Sequence, residues 1–317
     1  MLSGETSKTH WWGIVLVGVS LLTSCAPVAQ SGLEKPGDLL LVDPYQTQTS
    51  STPIIPTSSS TFTVTPTGTP FLPSTATITP ILPTATSTTD PNLAQFGPGD
   101  VLIPILMYHH VRPYANSEYA VSIDQFKKQM QWLYEEGYQT VSVNDMVTAI
   151  QQGKMLPKKS IILTFDDGFM DVYENAYPIL TELGYTATMY LIEDVINEPT
   201  YVTDQVIEEL INAGWELGHH SKSHAYLPSL RNLDDEVCDS RVRLIERYNQ
   251  PFDSFAYPFA AKDEKSIQAV KDCGYTSGAG NGSFTIHTEE RLFFFSRREI
   301  KSYFDMQRFI TTVTDIR

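Results

Sequence analysis

The chain is expected to fold as an α/β domain on a parallel sheet that is closed or nearly closed, and three features carry that expectation. From about residue 101 onward, short apolar segments alternate with segments of helical period, the pattern of β-then-α units joined by right-handed crossovers. One segment, Ile161 to Phe165, is a β-branched apolar run of the kind buried on both faces of a parallel sheet. Chemistry-bearing residues follow two such segments: Asp166, Asp167 and Gly168 after the first, and His219, His220 and His224 after Trp215-Glu216-Leu217-Gly218. In α/β folds the carboxyl ends of strands are where ligands bind.

In chain order, Ile103 to Tyr108 reads as a strand. Ser122-Ile123-Asp124-Gln125 has the form of a capping box opening a helix with Phe126, Met130 and Leu133 on one face, closed by Gly137. A strand at Thr140 to Val143 follows, Asn144 caps a helix reaching Gln152, and the D-D-G strand comes next. A short helix through Tyr177 ends near Gly184, and Thr186 to Ile192 is a strand. The helix Thr203 to Ala213 leads into the W-E-L-G strand. Leu233, Val237, Leu244 and Tyr248 share one face of a helix from Leu233 to Tyr248, ahead of a strand at Phe255 to Tyr257. Asp263 caps a helix to Cys273, Tyr275 to Gly278 and Phe293 to Ser296 read as the last strands, and a helix near Asp305 to Thr312 ends the ladder.

Before residue 99 the composition is of another kind. Trp11 to Leu22 is an apolar run of twelve, too short to span a bilayer and sized for a signal-peptide core. Leu22-Thr23-Ser24-Cys25 follows it and looks like a bacterial lipobox, so residues 1–25 are expected to be a lipoprotein signal that leaves lipid on Cys25. That would make the protein an extracytoplasmic, membrane-anchored lipoprotein at the bacterial cell surface. Residues 26–98 are expected to be a disordered linker; the stretch from Thr47 to Asp90 is dominated by Thr, Ser and Pro and cannot bury enough apolar surface to offset its chain entropy. At about 3 Å per residue, such a spacer reaches on the order of 200 Å when fully extended.

The formal net charge is -15 and the basic residues are scattered, which argues against nucleic acid as a partner. Of the three cysteines, Cys238 and Cys273 fall on expected helices, where a small buried hydrophobe is the commonest role, although the compartment permits a disulfide.

The two motifs together point to a metal. His220 and His224, four apart, can reach one ion from a tight turn, and an aspartate from the D-D-G strand end would complete a set of one carboxylate and two imidazoles. That set leaves coordination positions open for water or substrate, as in catalytic sites. One divalent ion is expected; zinc suits the donors best, and cobalt, nickel, manganese and iron take the same ones.

Thr164 to Gly168, T-F-D-D-G, followed by H-S-x-x-H at His220 to His224, resembles the polysaccharide deacetylase family, the NodB homology domain of carbohydrate esterase family four. Pro104 to His110, P-I-L-M-Y-H-H, and Phe255 to Phe259, F-A-Y-P-F, are similar to motifs of the branch that includes poly-N-acetylglucosamine deacetylases. The resemblance implies a distorted (β/α) barrel of about seven parallel strands, with residues 99–317 as the catalytic domain and the motifs at the carboxyl-end rim. It also implies roles: Asp167, His220 and His224 as metal ligands, Asp166 as general base, and a backbone N–H of Phe259 or its neighbour facing the oxyanion. Tyr257, Pro258, Phe259 and His109 join the substrate side, with Tyr226 a further candidate for stacking on sugar.

The chain departs from the broader family in having Ala256 where many members carry arginine, and Ala260 where glycine is usual. No L-x-H motif follows Tyr275, which leaves His287 as a candidate general acid, with His109 and His110 as alternative rim imidazoles and His219 as a possible substitute ligand. The implied function is a metal-dependent hydrolase removing N-acetyl groups from extracellular GlcNAc-containing glycan such as poly-N-acetylglucosamine, peptidoglycan or a chitin-like chain. The alternatives are an O-acetyl xylan esterase of the same fold and a non-catalytic, lipid-anchored glycan-binding protein.

Overall fold

The structure, a computed structural model, describes residues 92–115 and 117–317. The expected signal segment, Cys25 and the Thr/Ser/Pro-rich stretch through residue 91 lie outside the described residues.

Seven parallel strands form the central sheet: β1 (Ile105–Tyr108), β2 (Ser160–Phe165), β3 (Thr188–Leu191), β4 (Glu216–His219), β5 (Ser254–Ala256), β6 (Ser277–Ala279) and β7 (Arg298–Glu299). Their spatial order is β6-β5-β4-β3-β2-β1-β7, and every neighbouring pair is parallel. The segment entering β7 completes the ring. Phe295 bridges Ala279 of β6, its N–H donates to Gly278 O at 2.9 Å, and Gly282 N–H donates to Arg297 O at 3.0 Å. The distorted (β/α) barrel is therefore the observed architecture.

Helices α1 (Ile123–Glu135), α2 (Val143–Gln152), α3 (Tyr177–Glu182), α4 (Asp204–Asn212), α5 (Ser240–Tyr248), α6 (Glu264–Asp272) and α7 (Met306–Thr314) lie between or after the strands. Side chains alternate along β2 as the two-residue period requires. Ile161, Leu163 and Phe165 pack into an outer layer with Phe126, Met130 and Leu133 of α1, while Ile162 joins an inner cluster with Ile105, Tyr190, Ala256 and Ala279.

Most helix starts obey local rules. Ser122 accepts from Gln125 N–H, Thr203 from Val206 N–H, and Asp263 with Ser266 forms a reciprocal box. Helix α2 starts earlier than the sequence indicates: Ser142, not Asn144, is its cap, in a box with Asp145, and the strand expected at Thr140 to Val143 shrinks to Gln139–Thr140. Leu233 to Tyr248 is not one helix; a π-helical turn, Asp234–Asp239, precedes α5. Phe293 to Ser296 is no strand either. A 3-10 helix, Glu289–Phe294, takes its first two residues, and the chain extends only afterwards, from Phe295. The folded region also begins before residue 99, because Leu93–Phe96 pairs antiparallel with Lys154–Pro157. Cys238 and Cys273 are joined as a disulfide, with Cα atoms 5.0 Å apart, in place of two separate thiols.

At the amino end of β4, Glu216 caps a helix it does not belong to. Its carboxylate accepts from Val143 N–H at 2.8 Å and Asn144 N–H at 3.0 Å, in the first turn of α2, and from Thr188 Oγ1 at 2.7 Å. An anion at a helix N-terminus is favoured by the orphan donors there and by the macrodipole. Glu216→Ala should lower the unfolding free energy by about 2 kcal/mol, read from urea denaturation, because it strips these donors of their acceptor.

Candidate active site

At the carboxyl end of β2 the inward side chain is Asp166, 3% exposed, and the next residue of a regular strand would point away. The backbone prevents that. Asp167 has φ 73° and Gly168 φ 75°, a left-handed pair that turns the second carboxylate back so that both acids line one pocket. Glycine suits the second position because a side chain there would meet both the unfavourable φ and Leu191, 3.0 Å from an added Cβ.

Asp166 is held by Arg297, itself 2% exposed, in a fork: Nη1 to Oδ1 at 2.5 Å and Nη2 to Oδ2 at 2.7 Å. Arg297 also donates from Nε to Gly280 O at 3.1 Å and from Nη1 to Thr164 Oγ1 at 3.2 Å, and its guanidinium lies 5.0 Å from the Tyr190 ring centre. Gly218 of β4 makes room for that ring, since a Cβ would fall 2.3 Å from it. Burial by itself would raise the Asp166 pKa, but the charge and hydrogen bonds of Arg297 more than offset it and hold the carboxyl at about 2. Asp167, buried beside the Asp166 charge, is pushed up to about 7.

Among the described residues, Asp167, His220 and His224 offer ligand atoms that all lie within 4.8 Å of one another. His220 Nε2 is 3.4 Å and His224 Nε2 is 3.5 Å from Asp167 Oδ1, a buried oxygen with no hydrogen-bond partner. His220 Nδ1 donates to Ala256 O at 2.7 Å, which sets the tautomer and leaves Nε2 as a lone pair facing the carboxylate. Burial lowers the pKa of His220 to about 4 and lowers that of His224, so both imidazoles are neutral, as ligands must be. An orphaned anionic oxygen between two neutral imidazoles is the donor set a first-row divalent cation takes, so the residues fit the expected ion.

The pocket, ≈ 360 Å³, is also lined by His109, Tyr257, Phe259, Asn281 and Glu299. Tyr257 is buried, its hydroxyl donating to Phe293 O at 3.0 Å, and buried Pro258 starts the turn after it. Phe259 is 65% exposed, with left-handed backbone (φ 60°), and its ring sits 4.5 Å from that of His224. Tyr226 is exposed beside it, ring centres 6.4 Å apart. His109 lies at the rim above β1, its buried Nδ1 3.7 Å from Glu299 Oε1 and without a hydrogen-bond partner.

Two other histidines sit elsewhere than the sequence reading allows for, and a third is at the rim but engaged. His287 is buried at the amino end of the barrel: it pairs with Val101 ahead of β1, its Nε2 meets Ile103 O at 2.9 Å, and burial lowers its pKa to about 4. It lies at the opposite end from the two aspartates and does not line the pocket, which removes it as general acid. His219 is fully buried between Tyr275 OH (2.5 Å) and Ser240 Oγ (2.9 Å), so both ring nitrogens are engaged and it is no substitute ligand. His110 reaches the pocket wall but is tied by Nδ1 to Asp171 at 2.8 Å and stacked on Phe169.

Arg297, Glu299 and Asn281 are not among the residues the motifs single out. Arg297 carries the same signature as D-D-G, a charge emerging just after an apolar run (Leu292 to Phe295).

A family model described as polysaccharide deacetylase matches residues 153–278, the stretch that holds both metal-site motifs and F-A-Y-P. Over that stretch the chain is similar to the polysaccharide deacetylase family. The Bacillus subtilis protein YxkH is 29% identical over 178 residues, 56% of this chain and 63% of that one. Poly-beta-1,6-N-acetyl-D-glucosamine N-deacetylase of Staphylococcus aureus is 25% identical over 176 residues, 50% of this chain and 60% of that one. The matched segment thus spans 63% and 60% of the lengths of these curated relatives. Among solved structures, the Streptococcus pyogenes deacetylase PplD, in complex with acetate, is similar at TM-score 0.63 and 27% identity, covering 67% of this chain and 98% of that one. A Bacillus cereus polysaccharide deacetylase shares the fold at TM-score 0.62 and 24% identity, over 68% of this chain and 70% of that one.

Two outcomes test this geometry. Arg297→Met leaves a buried carboxylate unpaired and should cost about 3–5 kcal/mol of stability; adding Asp166→Asn should restore part of the loss in the same denaturation assay. Metal affinity should be flat above the Asp167 pKa of about 7 and fall as pH drops below it, because the ion needs the anion and the proton holds on. With His220, whose pKa is about 4, already neutral, calorimetry in buffers of different ionisation enthalpy should read at least about one proton released per ion at about pH 6.

Proposed function

We propose that this domain is a metal-dependent N-deacetylase of extracellular polysaccharide containing N-acetylglucosamine. The observation that carries the reading is the convergence of Asp167, His220 and His224 on one point of an open pocket that also holds the charged Asp166. A divalent ion, zinc by preference, with cobalt, nickel, manganese or iron as alternatives, would supply Lewis acidity toward the acyl carbonyl and lower the pKa of water.

The chain's own groups do the rest. Asp166 is ionised because Arg297 holds it so, and it takes the proton of the attacking water as general base. The backbone N–H of Phe259 faces the oxyanion, since Pro258 has none and Ala260 N–H donates to Tyr257 O at 2.9 Å, and Tyr257 and Pro258 shape the turn that presents it. His109, at the rim beside Glu299, gives the leaving nitrogen its proton, the role His287 cannot fill from the far end of the barrel. The exposed rings of Phe259 and Tyr226 give the polymer an apolar wall against which sugar faces stack.

The activity that names the Staphylococcus aureus relative supports poly-N-acetylglucosamine as the substrate class, and acetate bound to the Streptococcus pyogenes deacetylase is the product this reaction would release. Lipid on Cys25 and the Thr/Ser/Pro-rich stalk would place the domain at the bacterial cell surface, where such glycans lie. Among the described residues no helix is long and apolar enough to cross a membrane.

Acetate release decides the matter. Supplied with zinc or cobalt, the protein should liberate acetate from β-1,6-linked N-acetylglucosamine oligomers in preference to acetylxylan, and a chelator should stop it. Asp166→Asn and His109→Gln should each lower kcat by about 100-fold or more. No acetate from any N-acetylated glycan at stoichiometric metal would overturn the reading, and preference for acetylxylan would turn it into an O-acetyl esterase.

A further inference from the structure

We propose that Glu236 and the Cys238–Cys273 disulfide form a brace that positions the loop bearing His220 and His224, so that metal affinity depends on residues that touch neither ion nor substrate. The inference rests on the metal-centre reading above and goes beyond the ligands themselves.

The loop is in need of a brace. Ser221 (φ 64°) and His224 (φ 58°) both adopt left-handed backbone, a conformation that persists in ordinary residues only where the surroundings impose it. Those surroundings are Glu193 and Asp194, whose N–H groups donate to Ser221 O at 3.3 Å and Lys222 O at 2.9 Å, and on the other side the π-helical turn Asp234–Asp239. Glu236 receives Ser223 N–H at 3.0 Å and Ser223 Oγ at 2.6 Å on its two carboxylate oxygens, and its carbonyl accepts from Lys222 N–H at 3.1 Å. Lys222 Nζ adds an ion pair to Asp235 at 2.6 Å. Ser223 immediately precedes the ligand His224, so the turn grips the loop one residue from the ion.

The same turn also holds the other side of the ligand pair. Tyr275 OH donates to Val237 O at 2.8 Å and meets His219 Nδ1 at 2.5 Å, while Ser240 Oγ meets His219 Nε2 at 2.9 Å. His219 precedes the ligand His220. What fixes the turn is its apolar contact through Leu233 and Val237 with a small cluster, and the disulfide from Cys238 to Cys273 across 35 residues, two residues before Tyr275. Outer-shell partners of this kind characteristically weaken metal binding when removed.

The test is a cobalt(II) titration of the wild type, Glu236→Ala, Glu236→Gln and the double variant Cys238→Ser/Cys273→Ser, with visible ligand-field absorption as readout and circular dichroism as the check on folding. Glu236→Ala should weaken cobalt binding by about 10–100-fold and alter the absorption band. Glu236→Gln, which keeps one acceptor oxygen, should fall between it and wild type, and the double serine variant should lose about tenfold at a temperature where it is fully folded. Glu216→Ala, at the far end of β4, lowers stability without touching the loop and should keep wild-type cobalt affinity. Wild-type affinity and spectrum in Glu236→Ala would overturn the brace, and that variant decides the matter if the double serine variant does not fold. A wild type that binds no cobalt would instead remove the metal-centre reading, and the brace with it.

Discussion

The buried fork between Arg297 and Asp166 is the interaction on which this site depends. Two carboxylates in sequence at a strand end, both largely out of water, repel each other and resist ionising, and a low-dielectric interior magnifies both effects. A planar guanidinium that contacts both oxygens of one acid resolves the conflict at that acid alone. Asp166 stays charged and Asp167 is left with an oxygen that nothing in the protein satisfies. The division of labour between two chemically identical neighbours follows from which of them the arginine reaches.

Backbone conformation adds a second constraint. Asp167, Ser221, His224, Phe259 and Ala260 all have positive φ, and all lie on the pocket wall or in the loop beneath it. Each such residue costs on the order of 1 kcal/mol or more, and elsewhere in a domain glycine or asparagine would relieve it. The seven-strand ring is rigid enough to hold these strained turns, and in exchange they aim side chains from three different strand ends at one small volume.

Much of this was legible in the sequence. The D-D-G and H-S-x-x-H motifs stood at the ends of apolar runs, and alternation of period two with helical period placed those ends at one rim. Capping residues such as Ser122, Thr203 and Asp263 marked helix starts because their chemistry is local. What was not legible is what depends on closure. Arg297 lies 131 residues from Asp166, and nothing in either neighbourhood announces the pairing. His287 misleads for the same reason: one dimension does not tell which end of the barrel a loop histidine occupies. The left-handed turn at Asp167 and Gly168 was equally hidden, although it is what brings the second acid to the site.

Ring closure has a consequence for the order in which the molecule assembles. The inner acids belong to the second strand of the ring, and their neutralising partner arrives only with the segment that joins the last strand to the first. Without that seam, burying the two carboxylates has no counter-charge to offset its cost. Loop-closure entropy makes so distant a pairing costly, so the site is complete only when the ring is.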